Sequence, residues 1–254
     1  MTTATRKRTN RLAALLLGAG LLAGCTVSGI ADATAHAAAA STFLHDNAAV
    51  RTVTKNAAGK SIVTNSQSTV VLVNKQRNLP STYVPTDLVV PNVSFSFAGS
   101  SPKKQMRSIA AGALEKLFAA AKKDGIRLAA VSGYRSYATQ KAIFDRNKSI
   151  KGAAVANKTS ALPGQSEHQT GLAMDISSAS AGYALEASFG DTKEGKWLAK
   201  HAADYGFIIR YGKGMEKLTG YSYEPWHVRY VGVYIAKEIM SKHLTLEQYL
   251  ARYN

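Results

Sequence analysis

Cysteine is almost missing from this 254-residue sequence. A single residue, Cys25, excludes an internal disulfide framework and any cysteine-rich zinc module, so a metal site would have to use histidine and carboxylate ligands. Acidic side chains are scarce, 16 against 32 lysines and arginines, and the formal charge of +16 favours polyanionic surroundings: nucleic acid, anionic lipid or cell-wall polymer. With 6 prolines, 46% hydrophobic residues and 19% charged ones, the composition is globular, neither disordered nor collagen-like. A long apolar run is lacking near the N-terminus, where Leu12 to Leu22 falls well short of the roughly 20 residues that a membrane-spanning helix needs. No internal repeat is present.

What the N-terminus does have is an export signal. Arg6, Lys7, Arg8 and Arg11 precede the apolar run without any acid, the pattern of a secretory signal peptide. Leu22-Ala23-Gly24-Cys25 resembles the bacterial lipobox, which implies cleavage before Cys25 and lipidation of its sulfur, so that the membrane is engaged by a lipid anchor. A second reading makes Cys25 incidental, with conventional cleavage in the small-residue tract Ala31 to Ala40 and secretion to the cell wall. Both readings export the protein. Removal of residues 1–24 takes away four cations and no anion, leaving +12, and an exported chain of that charge meets cell wall or lipid, not nucleic acid.

Residues 25–68 are rich in Ala, Ser, Thr, Asn and Gly without a sustained period and read as a flexible tether, so the folded domain is expected over 69–254. It opens with a strand at Thr69-Val-Val-Leu-Val-Asn, followed by extended chain through Pro80 and Pro85. Residues 103–124 predict a long amphipathic helix with Met106, Ile109, Ala110, Ala113, Leu114, Leu117, Phe118 and Ala121 on its buried stripe. Strands are predicted at 128–131, 172–176, 207–210 and 226–231, helices at 137–148 and 193–205, and two short helices close the chain. Strands separated by unequal helices predict an α+β class: one compact domain with a small central antiparallel sheet flanked by helices, and the functional site at the sheet.

Six histidines are available, and two have informative neighbours. In Ser166-Glu-His168-Gln-Thr-Gly171-Leu-Ala173-Met-Asp175, Gly171 lets the backbone turn so that His168 and Asp175 approach one point. In Glu224-Pro-Trp-His227-Val-Arg229, strand alternation puts His227 and Arg229 on one face, with Glu224 just before. Two imidazoles and a carboxylate suffice for a catalytic zinc with a fourth position left for water, and a separate glutamate is the proton acceptor such a site needs. The chemistry these types predict is hydrolysis of an amide or ester. Taken singly, His168, Asp175 and His227 are equally compatible with hydrogen-bonded structural roles; His36 and His45 lie in the tether, and His201 and His243 read as surface or core residues.

The surrounding sequence resembles a family. Ser166-x-His168-x-x-Gly171-x-Ala173-x-Asp175 with Glu224-Pro225-Trp226-His227-x-Arg229 is similar to the zinc D-alanyl-D-alanine carboxypeptidases of the VanY type and their L,D-carboxypeptidase relatives. Ser132-Gly-Tyr-Arg135-Ser-x-x-x-Gln140, Leu72-Val-Asn-Lys75 and the stretch from Gly206 to Tyr221 resemble further segments of that family, so the likeness covers about residues 69–254. The resemblance implies zinc held by His168, Asp175 and His227, Glu224 as general base, and Arg135, Gln140 and Ser166 holding the terminal D-alanine. A guanidinium fork suits a free carboxylate, although Arg135 alone could equally be a surface ion-pairing residue. Trp226 and Arg229 are expected to support the site. Gly212, where family members often carry proline, departs from the pattern and loosens that loop. The implied function is removal of C-terminal D-alanine from peptidoglycan stem peptides or their precursors by a monomer, foremost from D-Ala-D-Ala ends. The alternatives are L,D-activity on tetrapeptide stems and a non-catalytic, zinc-containing wall-binding lipoprotein.

Overall fold

The structure, a computed structural model, describes residues 40–254; the expected signal peptide, Cys25 and the start of the tether lie outside the described residues. One unit spans Phe43–Asn254. It is a mixed helix and sheet fold with small antiparallel sheets. Three sheets are present among the described residues, not the single one expected: β1 (Val53–Lys55) with β2 (Ser61–Val63), β3 (Leu88–Val89) with β4 (Met106–Arg107), and a four-stranded sheet. The last is built from β5 (Ala129–Ser132), β6 (Ala173–Ser177), β7 (Phe207–Tyr211) and β8 (Glu224–Tyr230) in the order β5-β6-β8-β7, every pair antiparallel.

The two faces of this sheet do different work. Met174, Ile176, Phe207 and Val228 point to one side and join a core with α1 (Ser108–Lys123), which buries Ala110, Ala111, Leu114, Leu117 and Ala121. The alternate residues point the other way. Ile208 packs there with Leu44, Val70, Leu72 and the closing helices α6 (Val233–Ser241) and α7 (Leu246–Leu250), while Asp175, His227 and Arg229 carry the polar groups of the same face. Between the sheet strands lie α2 (Tyr137–Lys151), α3 (Ala153–Thr159), α4 (Lys193–His201) and α5 (Glu216–Thr219).

Three expectations are corrected. The fold begins before Thr69: Leu44 and Val63 are buried and β1 pairs with β2, so residues 43–68 are folded chain, not tether. Strands of three residues joined by a polar turn leave too little alternation to register as a pattern. The segment at Thr69–Asn74, buried from Val70 onward, is no strand, because its carbonyls are taken by guanidinium groups in place of a neighbouring strand: Arg229 donates to Thr69 and Val71 at 3.0 and 2.8 Å, and Arg77 to Leu72 at 3.0 Å. The long helix starts at Ser108, after a turn at Pro102–Lys104 and β4, which puts Met106 in a strand and leaves Ile109 at 49% exposure.

Candidate active site

The sheet register brings the first two candidate ligands together. Asp175 on β6 lies directly opposite His227 on β8, and Oδ1 of the one is 3.1 Å from Nδ1 of the other. His168 comes from the 3-10 turn Glu167–Thr170, which ends at Gly171 with φ +69°; a Cβ there would stand 2.9 Å from Arg107 Cγ, so glycine serves both the turn and the packing. The turn places His168 Nε2 3.4 Å from Asp175 Oδ2. All three side chains are buried, their ligand-type atoms lie within 4.8 Å of one another, and the group could hold a metal ion.

Each imidazole is oriented from behind. His168 Nδ1 is 2.7 Å from the carbonyl of Gly133, which has no room for a side chain because a Cβ would stand 2.4 Å from the Gln105 carbonyl. His227 Nε2 is 3.4 Å from Glu167 Oε2. Such partners fix the tautomer and the ring plane of a ligating histidine. Glu167 is itself fixed by two buried arginines: Oε1 accepts from Arg210 Nε at 2.8 Å and Arg229 Nη1 at 2.6 Å. Arg210 also donates to both oxygens of Glu247 on α7, at 3.0 and 2.7 Å. A continuous charged chain therefore runs from the C-terminal helix to His227.

These contacts set the proton affinities. Burial opposes ionisation of Glu167, but Arg210 and Arg229 overcome it and hold the carboxyl well below its ordinary range. Burial likewise opposes the Asp175 carboxylate, and His168 and His227 beside it prevail and depress its pKa. Burial pushes His168 down. For His227 burial is outweighed by hydrogen bonds to Asp175 and Glu167, which raise it to about 9.

The group opens on a cavity of about 260 Å³ whose walls include Arg135, Ser166, Tyr211, Tyr221, Glu224 and Trp226. Glu224, at the start of β8, has its carboxyl pushed up to about 7 by burial, against the opposing pull of His227. Arg135 follows β5, its backbone N–H bonded to the His168 carbonyl at 3.2 Å. Its Nη1 donates to Gln140 Oε1 at 2.9 Å and its Nη2 to Ser132 at 3.3 Å, while the buried Nε has no partner among the described residues. Gln140, expected to touch substrate, is buried behind that arginine: its Nε2 donates to the Ala161 carbonyl at 2.6 Å, and it is not among the residues that line the cavity. Sequence reasoning missed Glu167, Arg210 and Glu247. The only sign of Glu167 was an acid inside the Ser-x-His motif; nothing local marks the others.

A family profile described as VanY: D-alanyl-D-alanine carboxypeptidase matches residues 103–233. The chain is 56% identical over 178 residues to YodJ of Bacillus subtilis, a carboxypeptidase by name, and 37% identical over 146 residues to a D-alanyl-D-alanine carboxypeptidase of Enterococcus faecalis. These matches cover 70% and 54% of this chain and 65% and 52% of the relatives, so the chain spans less than two thirds of their length. Among solved structures, the LdcB LD-carboxypeptidase is similar with a TM-score of 0.75 and 53% identity, covering 78% of this chain and 92% of that one. A vancomycin resistance D,D-pentapeptidase, a VanY variant in complex with Zn(II), gives a TM-score of 0.59 at 32% identity, covering 72% and 98%.

Proposed function

The chain belongs to the VanY family of D-alanyl-D-alanine carboxypeptidases, and on that footing we propose that it is an exported, zinc-dependent enzyme removing C-terminal D-alanine from peptidoglycan stem peptides. One observation carries this reading: three side chains able to bind a metal, a carboxylate of raised pKa and a partly buried guanidinium face one cavity.

The donor set suits zinc. Asp175 stands 3.4 Å from His168 through Oδ2 and 3.1 Å from His227 through Oδ1, and one ligand atom from each of the three lies within 4.8 Å of the others, a spread that two imidazoles and a carboxylate could close around one ion. His168 would bind through Nε2 and His227 through Nδ1, since Gly133 and Glu167 hold the opposite nitrogens. Bound there, zinc supplies Lewis-acid polarisation of the scissile carbonyl and acidifies a water.

The protein's own groups do the rest. Glu224 accepts a proton from the attacking water at a carboxylate oxygen and returns it to the departing amine nitrogen, and a pKa near neutrality serves both transfers. Arg135 binds the substrate's terminal carboxylate, with Gln140 fixing the guanidinium plane and Ser166 offering its hydroxyl from the wall. Water thereby adds across the amide, leaving a shortened peptide and free D-alanine. A pure binding module has no use for Glu224 in this position.

The residue before the leaving D-alanine decides between the two activities. Similarity at 53% identity to an LD-carboxypeptidase, against 32% to a D,D-pentapeptidase, favours tetrapeptide stems with an L-centre at that position over the D-Ala-D-Ala ends expected from the motifs alone. Attachment to the outer membrane face through Cys25 is part of the same proposal. The test is incubation with defined pentapeptide and tetrapeptide stems, with and without a zinc chelator, read by mass spectrometry. Chelator-sensitive loss of alanine from the tetrapeptide supports L,D-activity and from the pentapeptide D,D-activity; loss from neither, by folded zinc-loaded protein, overturns the proposal.

A further inference from the structure

Beside the site lies another cavity, of about 300 Å³, with a different lining. Lys55, Lys60 and Lys75 contribute to it together with Gln76, Asn78 and Gln165, and among the described residues no carboxylate does. Lys55 and Lys60 come from the β1–β2 hairpin, outside the span matched by the family profile.

The two cavities share a wall. In the loop from Ser160 to Ser166, Ser160, Ala161 and Ser166 face the metal-ligand cavity, and Leu162, Pro163 and Gln165 face the basic one. The loop is held in place: the Gly164 carbonyl accepts from Leu79 N at 2.8 Å, and Gln165 Nε2 donates to the Lys75 carbonyl at 2.9 Å. Lys75 sits at the boundary. Its stem lies against Gly220, where a Cβ would stand 2.9 Å from Cδ, and its ammonium is 4.5 Å from the ring centroid of Tyr221, a wall of the first cavity. A peptide whose C-terminus is held at Arg135 thus lies against a loop whose other side lines a cationic recess.

We propose that this recess is a subsite for a carboxylate-bearing residue of the peptide substrate, upstream of the scissile bond. The ammonium groups of Lys55 and Lys60, with side-chain amides and no carboxylate in the lining, select an anion, Lys75 adds to the field although its ammonium also donates to the Asn157 carbonyl, and Leu162, Pro163 and Tyr137 cover the aliphatic stem that carries it. The inference rests on the carboxypeptidase reading, which supplies the peptide. A basic patch that merely faces solvent predicts no dependence on where the carboxylate stands in the peptide.

The experiment uses the zinc-loaded protein and five-residue peptides ending in D-alanine, each with one Glu at the second, third or fourth residue from the C-terminus, paired with Gln controls. D-alanine release gives kcat/KM, and calorimetric titration of the peptides into the Glu224→Gln variant gives binding without turnover. One Glu position is expected to bind and react roughly 3- to 10-fold better than its Gln control, the scale of one or two exposed ion pairs, and to lose that advantage in high salt. Lys55→Glu/Lys60→Glu, and the milder Lys60→Ala, should remove the preference while leaving the Gln peptides unchanged. Equal handling of Glu and Gln at all three positions, or a preference that survives both variants, overturns the subsite and leaves the carboxypeptidase intact. Lysine-dependent binding without any D-alanine release by unsubstituted enzyme upholds the subsite and sinks the assigned reaction.

Discussion

Glu167→Gln is the most informative single change, because it keeps the shape of the side chain and removes one buried charge. Arg210 retains both oxygens of Glu247, whereas Arg229 is left with the backbone carbonyls of Thr69, Val71 and Tyr230 and no counter-charge. A buried charge stripped of its partner costs about 3–5 kcal/mol. At roughly 2–4 °C per kcal/mol for a unit of this size, the metal-free variant should melt about 6–20 °C below the parent. The same change removes the carboxylate behind His227 Nε2, and loss of such a partner weakens metal binding by roughly 10- to 100-fold. Thermal unfolding of the metal-free proteins and zinc titration against a competing chelator read the two effects separately. Glu247→Gln is the control, since Arg210 then keeps Glu167 and His227 keeps its partner; melting should drop and zinc affinity hardly move. A Glu167→Gln protein with parental melting temperature and parental zinc affinity refutes the argument.

Four further outcomes are expected. Stability should decline as pH falls below 4.5, because the Glu167 pKa in the folded state lies under that ordinary value: its contribution is complete above 4.5 and is lost as the pH drops towards the depressed one, so acid unfolding of Glu167→Gln should be less steep there. Glu224→Gln should keep its zinc by metal analysis and lose roughly 10²- to 10⁴-fold in kcat, the usual worth of a general base; turnover at the parental rate would remove Glu224 from the mechanism. Arg135→Lys should lower kcat/KM roughly 10- to 150-fold, as expected for about 1.5–3 kcal/mol in a charged hydrogen bond, with little change in melting. Cys25→Ser should release the protein from membranes, and unchanged fractionation would exclude lipidation there.

What could be read in the sequence was what chemistry and strand period both constrain. His168, Asp175 and His227 stand at spacings that a glycine turn and two paired strands convert into one point, and alternation alone put His227 and Arg229 on a common face. Partners set by distant segments could not be read. Glu247 reaches Arg210 across 37 residues and Arg229 reaches Thr69 across 160, and neither contact leaves a periodic trace. Gln140 shows the same limit from the other side: its residue type fitted substrate binding, but only the fold shows its amide spent on Arg135 and Ala161. The stretch at Thr69–Asn74 has strand composition, yet what burial selects is apolar character, and arginines meet its carbonyls as well as a strand would.

The link from Glu247 to His227 bears on how the molecule is made. A polypeptide synthesised from its N-terminus presents Arg229, the end of the last site motif, 17 residues before α7 begins at Leu246. Until then Arg210 lacks its bidentate acceptor, and the contacts that join Thr69, Glu167, Arg210, Arg229 and Glu247 are of the long-range kind that form slowly. A nascent or prematurely terminated chain would hold all the motif residues and the Glu167 contacts but leave Arg210 one acceptor short. Only with the last helix in place does Arg210 have both of its carboxylates, so a chain cut short before Glu247 should keep the site residues together but melt at a lower temperature.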